Sequence, residues 1–203
     1  MSDSTTFIDL VRHGRVATPG LFCAPTDELL SETGWTQLTI TAQTAQTNQV
    51  ITSPSRRCAE FAQHFAREHD LPLQTVNAFQ EMHFGDWVGL SAAEVWQQDS
   101  ALLKSLWESP QDFTAPNGEA LLEFAERVEH SWYELLEQYR GKRVLVFTHG
   151  GVMRVLLALA LGIPYKSTMG FDLGYGSAVR MRVYEDGAVS VYGLGVRDLS
   201  CDS

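Results

Sequence analysis

The sequence predicts an α/β fold: a three-layer α/β/α sandwich around a mostly parallel mixed sheet, with a small helical cap insertion. Short apolar segments rich in β-branched residues alternate with longer segments in which apolar residues recur at helical spacing. Two further strand-like segments flank a short glycine-containing loop, which indicates an antiparallel hairpin at one side of the sheet. The length of 203 residues suits a single domain covering residues 1–203.

Six segments have the composition of β-strands. Three are short, apolar and bounded by turn residues, as expected for buried central strands. These are residues 7–11, 49–52 and 143–147. The hairpin comprises residues 179–184 and 189–194, and residues 73–76 form a weaker sixth candidate.

Two segments carry the clearest helical spacing. The first has apolar residues at 58, 61, 62 and 65, and we expect Ser53 and Pro54 to be its N-cap and first-turn proline. The second has an apolar stripe over residues 121–139, and we expect that helix to open at Asn117 and close near Gly141. Residues 33–47 predict a helix more weakly, because threonine is a mediocre helix former.

Residues 89–116 interrupt the alternation of strands and helices, so we expect an inserted helical cap over one end of the sheet. Ser91 and Glu94 match a capping box, which marks the start of a helix within this insertion. Its tryptophans, Trp96 and Trp107, are expected to pack in the core, and neither is assigned a binding role.

Composition and charge exclude several classes of partner. The chain has 15 Lys plus Arg against 25 Asp plus Glu, a net charge of −10, and no basic run that would follow a nucleic acid or an anionic membrane. The apolar run at 155–163 is too short to span a bilayer, and the N-terminal residues lack a signal-peptide pattern. An odd set of cysteines, Cys23, Cys58 and Cys201, predicts reduced thiols and a cytoplasmic protein. The oligomeric state stays open.

Cationic side chains follow three of the predicted strands directly. The first strand runs into Arg12 and His13, the strand ending at residue 147 runs into His149, and the strand ending at residue 52 leads to Arg56 and Arg57. In open α/β sheets, ligands bind outside the carboxyl ends of the strands. The sequence therefore predicts that two histidines and up to three arginines share one edge of the sheet.

Such a cluster suits an anion, and phosphate in particular. An arginine grips phosphate oxygens in bidentate fashion, and a helix N-terminus adds unpaired N–H groups. The glycines that follow the histidines, Gly14 and Gly150, let a ligand approach the backbone closely. A neutral histidine is a competent nucleophile toward phosphorus, which would form a phosphohistidine.

Helical phase distinguishes between the two adjacent arginines. Arg57 lies four residues before Phe61, on the apolar face of its helix. Arg56 lies about 100° further round, in line with Glu60 and Gln63 on the polar face. We therefore expect Arg57 to enter the site and Arg56 to be solvated.

Four short motifs stand in order along the chain. They are Leu10-Val11-Arg12-His13-Gly14; Ser53-Pro54 with Arg57-Cys58; Glu81 with Gly85, Trp87 and Gly89; and Thr148-His149-Gly150-Gly151. In this order they resemble the motifs of the histidine phosphatase superfamily, which includes the cofactor-dependent phosphoglycerate mutases. The resemblance spans most of the chain and implies a phosphoglycerate mutase-like fold.

The resemblance implies roles for five residues and requires no metal or other cofactor. His13 is implied as the phosphorylated nucleophile, with Arg12, Arg57 and His149 binding the transferred phosphoryl group. Glu81 is implied as the acid that protonates the leaving oxygen and later activates water. The residues alone do not favour Glu81 over Asp86 or Asp27 for that role.

The chain departs from the family pattern at several positions. The family often has an Asn six residues past the nucleophile, where this chain has Pro19, and Arg15 is the candidate replacement for that phosphate contact. Val88 stands where the third motif usually has Glu. The other histidines, at 64, 69, 83 and 130, are interpreted as structural or solvated. Arg127 and Arg154 receive no role, and the glycine-rich residues 171–177 are expected to be a connecting loop.

The predicted substrate is a small phosphorylated metabolite. Mutases of this superfamily carry an Arg-Arg-Ser segment in a longer insertion, whereas residues 89–116 contain one cation, Lys104, so hydrolysis is preferred. Part of the stretch 22–30 is similar to the α-ribazole 5′-phosphate phosphatase branch. The sequence thus predicts a metal-independent phosphomonoester hydrolase. A mutase-type phosphotransferase and a phospho-ligand-binding member without turnover are the alternatives.

Overall fold

A six-stranded mixed sheet forms the centre of the computed structural model, which describes residues 5–18, 20–22, 24–25 and 27–199. Its strands are β1 (Thr6–Arg12), β2 (Gln49–Thr52), β3 (Leu73–Thr75), β4 (Arg143–Thr148), β5 (Ala178–Val183) and β6 (Val189–Val196). The order across the sheet is β3-β2-β4-β1-β5-β6. The four strands from β3 to β1 are parallel, and β5 and β6 add an antiparallel hairpin, as predicted.

Helices cover both faces of the sheet and complete three layers. They are α1 (Glu32–Ala42), α2 (Arg56–Glu68), α3 (Ala92–Glu108), α4 (Leu121–Gln138) and α5 (Gly150–Leu161). Side chains alternate across each strand, so Val144 and Val146 pack with α4 and α5, whereas Leu145 and Phe147 pack with α1 and α2. This two-sided core is why the central strands are almost continuously apolar.

Two predicted helix starts were wrong. The N-cap of α2 is Ser55 rather than Ser53, because the buried Ser53 hydroxyl is bonded to a histidine at the end of β4 instead of to the helix. The N-cap of α4 is Ala120 rather than Asn117. Asn117 has a φ of 55°, in the left-handed region, and its amide donates to the Asp86 carboxylate.

The weakly predicted helix exists but is shorter than its threonine-rich segment. Ser31 caps α1 by accepting a hydrogen bond from the Gly34 N–H. The hydroxyls of Thr36, Thr39 and Thr41 donate to carbonyls one turn back, which satisfies them inside the helix.

The segment predicted as an insertion contains α3, and the Ser91–Glu94 capping box at its start is confirmed. The helix bends at Asp99. Its buried side chains are Val95, Leu103 and Leu106. The expectation that both tryptophans pack in the core was wrong, since Trp96 and Trp107 are 49% and 42% exposed. None of the helices in the described ranges is long and apolar enough to cross a membrane. Cys58 is free and buried, whereas Cys23, Cys201 and Pro19 lie outside the described residues.

Candidate active site

The carboxyl ends of three neighbouring parallel strands form the floor of the candidate site. β1 and β2 flank β4 in the sheet, so the residues that follow each strand lie side by side. The rings of His13, after β1, and His149, after β4, are 5.3 Å apart between centroids. A cavity of about 420 Å³ opens there, and its wall includes Arg12, His13, Arg57 and Glu81. The structure therefore brings Arg12, His13, Arg57 and His149 together, as the strand-end argument predicted, although His149 is fully buried and lies behind the cavity wall.

His13 is held in one orientation with one ring nitrogen left for chemistry. Its Nδ1 lies 2.9 Å from the Gly14 carbonyl oxygen, which accepts only from a protonated Nδ1, so Nε2 carries the lone pair. Burial, with the positive charges of Arg57 and Arg12, holds the pKa of His13 well below its usual 6.5. The imidazole is therefore neutral at neutral pH, as a nucleophile must be.

His149 is buried beside it in the other tautomer. Arg57 Nη2 lies 3.3 Å from His149 Nδ1 and donates to it, so Nε2 carries the proton and donates to the Ser53 hydroxyl at 2.7 Å. Burial and the charge of Arg57 also lower the pKa of His149 well below 6.5. This network explains why Ser53 serves the site rather than the α2 cap.

The two site arginines are each anchored to a backbone carbonyl. Arg57, only 3% exposed, donates to the Pro25 carbonyl oxygen at 2.7 Å. Arg12 donates to the Leu173 carbonyl oxygen at 2.6 Å, and its guanidinium lies 4.4 Å from the centre of the Tyr175 ring. Such anchors fix the guanidinium groups before any ligand arrives, and fixed charges stabilise a bound anion without reorganisation.

Three polar atoms at this site are buried without a hydrogen-bond partner among the described residues. They are Arg12 Nε, Arg57 Nε and Ser55 Oγ, and all three side chains line the cavity. An unsatisfied buried donor costs about 1–3 kcal/mol, and more when it is charged. Donors of this kind around one cavity indicate a site made to be completed by an anion. Within the described ranges, no three His, Cys, Asp or Glu side chains cluster as a metal site.

Glu81 enters the cavity from the loop that precedes α3. Its Oε2 accepts from the Gly151 N–H at 3.1 Å, in the first turn of α5, and its Oε1 accepts from the Met82 N–H at 3.2 Å. A side chain at residue 151 would place a Cβ 2.2 Å from Glu81 Oε1, so any larger residue there would displace the Glu81 carboxylate. Asp86 and Asp27 are exposed and do not line the cavity. Of the three acids that the sequence left open, Glu81 is therefore the one that the structure places at the site.

Other predicted residues have mixed outcomes. Arg56 is exposed and paired with Glu60 at 2.6 Å, in agreement with the helical phase. Gly150 lines the cavity beside Arg12. Arg15 is exposed and outside the cavity wall, so the structure does not bring it to the site. His83, interpreted as structural or solvated, is exposed and borders the cavity.

Sequence reasoning missed four cavity or network residues: Ser53, Ser55, Arg154 and Tyr175. The two serines follow β2 directly, so the strand-end rule that selected Arg57 applies equally to them. Tyr175 lies in the glycine-rich segment that was interpreted as a plain loop, and its ring centre is 5.5 Å from that of His13. No spacing in the sequence indicated Tyr175.

Arg127 positions the Glu81 loop from outside the cavity. It is paired with Glu119 at 2.6 Å. It also donates to the backbone carbonyls of Ala78, Gln80 and Glu81. The carboxylate of Glu81 is therefore presented from a backbone that is clamped on one side by an ion-paired guanidinium.

The arrangement of groups can transfer a phosphoryl group. A neutral imidazole supplies a lone pair, guanidinium and hydroxyl donors surround it, and a carboxyl group lies in the same cavity. The chain is 32% identical to the adenosylcobalamin/alpha-ribazole phosphatase of Escherichia coli over 130 residues, 60% of this chain and 64% of that protein. It is 26% identical to a phosphoglycerate mutase of Schizosaccharomyces pombe, over 88% of this chain and 90% of that enzyme.

The fold has close counterparts among solved structures. The alpha-ribazole phosphatase of Shigella flexneri superposes with a TM-score of 0.83 at 24% identity, covering 97% of this chain and 100% of that one. The chain spans between about half (51%) and two thirds (64%) of the length of the first curated relatives it matches. The model of the histidine phosphatase superfamily (branch 1) matches residues 8–193. That match includes His13, His149 and nearly the whole sheet. This protein therefore belongs to branch 1 of the histidine phosphatase superfamily.

Proposed function

We propose that this protein is a phosphomonoester hydrolase that works through a phosphohistidine at His13. The observation that carries the proposal is the free Nε2 of His13, left unprotonated by the Nδ1 bond to Gly14 and surrounded by buried donors without partners among the described residues. Glu81 in the same cavity supplies the acid that a leaving alkoxide needs.

The proposed reaction has two steps. In the first, His13 Nε2 attacks phosphorus, the bond from phosphorus to the ester oxygen breaks, and the leaving oxygen takes the proton of Glu81. In the second, Glu81 removes a proton from water, the water oxygen attacks phosphorus, and the P–N bond breaks to return neutral His13 and inorganic phosphate. Arg12 and Arg57 hold the equatorial oxygens in both steps, and His149, which is fully buried and outside the cavity wall, positions the Arg57 guanidinium from behind.

The small number of cationic side chains in the described cavity wall favours hydrolysis over mutase chemistry. A mutase must hold a second phosphate, yet beyond Arg12 and Arg57 the described cavity wall offers one more arginine, Arg154. Its two terminal nitrogens donate to the carbonyls of Thr168 and Phe171. The similarity to an alpha-ribazole phosphatase makes α-ribazole 5′-phosphate the first natural substrate to assay.

The test compares His13→Ala with the wild type on p-nitrophenyl phosphate. The matched control is His64→Ala, because His64 is exposed, ion-paired with Glu68 at 3.3 Å and outside the cavity. We expect His13→Ala to abolish turnover and the acid-labile phosphoryl label, while His64→Ala keeps both.

Equal activity of His13→Ala and wild type would contradict the proposal. Binding of phosphate by a wild-type protein that hydrolyses no ester would support the non-catalytic alternative. Activity that depends on a bisphosphoglycerate primer would indicate a mutase.

A further inference from the structure

The cavity continues past the phosphate-binding groups into an apolar, aromatic wall. This wall is formed by Leu21, Phe22, Met82, Phe84, Leu106 and Trp107. We call these six residues the aromatic wall. They come from three separate parts of the chain: the loop after β1, the loop that carries Glu81, and the end of α3. The substrate's alcohol group therefore meets hydrocarbon once the phosphate is bound at His13.

Phe22 is the centre of this wall. Its ring lies 5.5 Å from Phe84 and 6.4 Å from Trp107 between centroids, with the planes tilted by 70° and 52°. Tilted and edge-to-face contacts leave ring faces and edges available to a further ring. Trp107 is 42% exposed although it borders the cavity, so part of its indole remains uncovered apolar surface.

The six side chains of the aromatic wall carry no charge that could hold a second anionic group. Of the described cavity residues, Glu81 is the one carboxylate, and it lies where a leaving group departs. Arg154 has both terminal nitrogens bonded to backbone carbonyls, and His83 Nδ1 accepts from the Gly85 N–H. A leaving group with its own phosphate or carboxylate would meet apolar rings, a carboxylate and Arg154, a single arginine that is already bonded to two backbone carbonyls.

From these contacts we propose that the preferred substrates are phosphate monoesters whose alcohol carries an uncharged aromatic ring system, which packs against Phe22 and Trp107. The inference rests on the proposed hydrolase function and names its substrate class. A cavity of about 420 Å³ can hold a phosphate and a bicyclic ring, because small-molecule sites run from about 300 to 1,000 Å³.

The test uses two alkyl phosphates with leaving groups of similar reactivity: ethyl phosphate and 2-(1-naphthyl)ethyl phosphate. We expect the naphthyl compound to have a kcat/KM on the order of 100-fold higher, because its ring leaves water for the aromatic wall. The charged comparison is 3-phosphoglycerate, which we expect to be a poorer substrate than the naphthyl compound.

Trp107→Ala should lower the ratio of the two alkyl phosphate kcat/KM values by on the order of 10-fold. The matched control is Trp96→Ala. Trp96 lies on the same helix as Trp107 and is exposed to a similar extent, but its ring contacts Lys104 and lies outside the cavity wall. That control should leave the ratio unchanged, and Trp107→Phe should restore part of it.

Failure of this inference is distinguishable from failure of the proposed function. If neither alkyl phosphate is hydrolysed and no phosphohistidine forms, the hydrolase proposal fails. If both are hydrolysed with equal kcat/KM, if Trp107→Ala leaves their ratio unchanged, or if 3-phosphoglycerate is preferred, the aromatic substrate class is overturned while the hydrolase stands.

Discussion

Arg56 and Arg57 are adjacent in sequence but have opposite environments. Arg57 is buried against His149 and the Pro25 carbonyl, whereas Arg56 is exposed and paired with Glu60 one turn along α2. The 100° step of the helix explains the difference, because one position faces the sheet and the next faces solvent. An exposed i,i+4 ion pair contributes only about 0.3–0.5 kcal/mol.

We predict that Arg57→Ala lowers kcat by about 10²–10³, the usual cost of losing one preorganised charge-stabilising donor. Arg56→Ala should retain activity within about twofold, because its side chain is exposed and, within the described ranges, bonds to Glu60 on the outer face of the helix. Steady-state kinetics on p-nitrophenyl phosphate measure both variants. Equal losses in the two would show that helical phase does not determine which arginine holds phosphate.

The start of α2 shows how one element is adapted for binding. Ser55 is the N-cap by position, yet its hydroxyl makes no cap hydrogen bond and has no partner among the described residues. By contrast, the Ser31 hydroxyl caps α1 in the usual way. The hydroxyl of Ser55 is thus buried, lines the cavity and is available to a ligand.

We predict that Ser55→Ala weakens inhibition by inorganic phosphate or vanadate by on the order of 10-fold, because a hydrogen bond to a charged group is lost. The free energy of unfolding should stay the same or rise slightly, since an unsatisfied buried group is removed. Inhibition constants and urea unfolding give the two measurements.

The matched control for that prediction is Ser31→Ala. It should lose about 1 kcal/mol of stability with its cap and keep its affinity for phosphate. If Ser55→Ala behaves as Ser31→Ala does, the Ser55 hydroxyl serves the helix and not the ligand.

At the scale of the whole molecule, folding is linked to pH through two buried histidines. Burial lowers the pKa of His13 and of His149 below the ordinary value of 6.5. The unfolded chain therefore binds more protons than the folded one just below pH 6.5, so acid favours unfolding. The burial of these two imidazoles thus makes the protein less stable in acid.

We predict that the free energy of unfolding is constant between about pH 7 and 8 and falls as the pH drops below 6.5, by up to about 1.4 kcal/mol per pH unit for each histidine. Urea unfolding between pH 5 and 8 measures this slope, and His13→Gln should reduce it. Constant stability across that range, with NMR titration of both histidines near 6.5, would contradict the linkage.

Much of this molecule is predictable because its signals are local. Apolar runs bounded by turn residues located the strands, and 3.6-residue spacing located α2, α4 and the buried face that carries Arg57. The rule for parallel strand ends then brought Arg12, His13 and His149 together. Helix starts were less predictable, because Ser53 and Asn117 have cap-forming side chains that the folded protein uses elsewhere.

The order of apolar and polar residues along the chain thus determined the layers of the fold. It also determined which histidines and arginines lie at the ends of the central strands. Tertiary structure decided which carboxylate enters the cavity, which loop covers it with Tyr175, and that Arg15 stays outside. It also decided that the far wall is aromatic, since Phe22, Phe84 and Trp107 meet from distant parts of the chain. The physical reason is that such contacts depend on how loops pack across the sheet, and residue spacing carries no information about that packing.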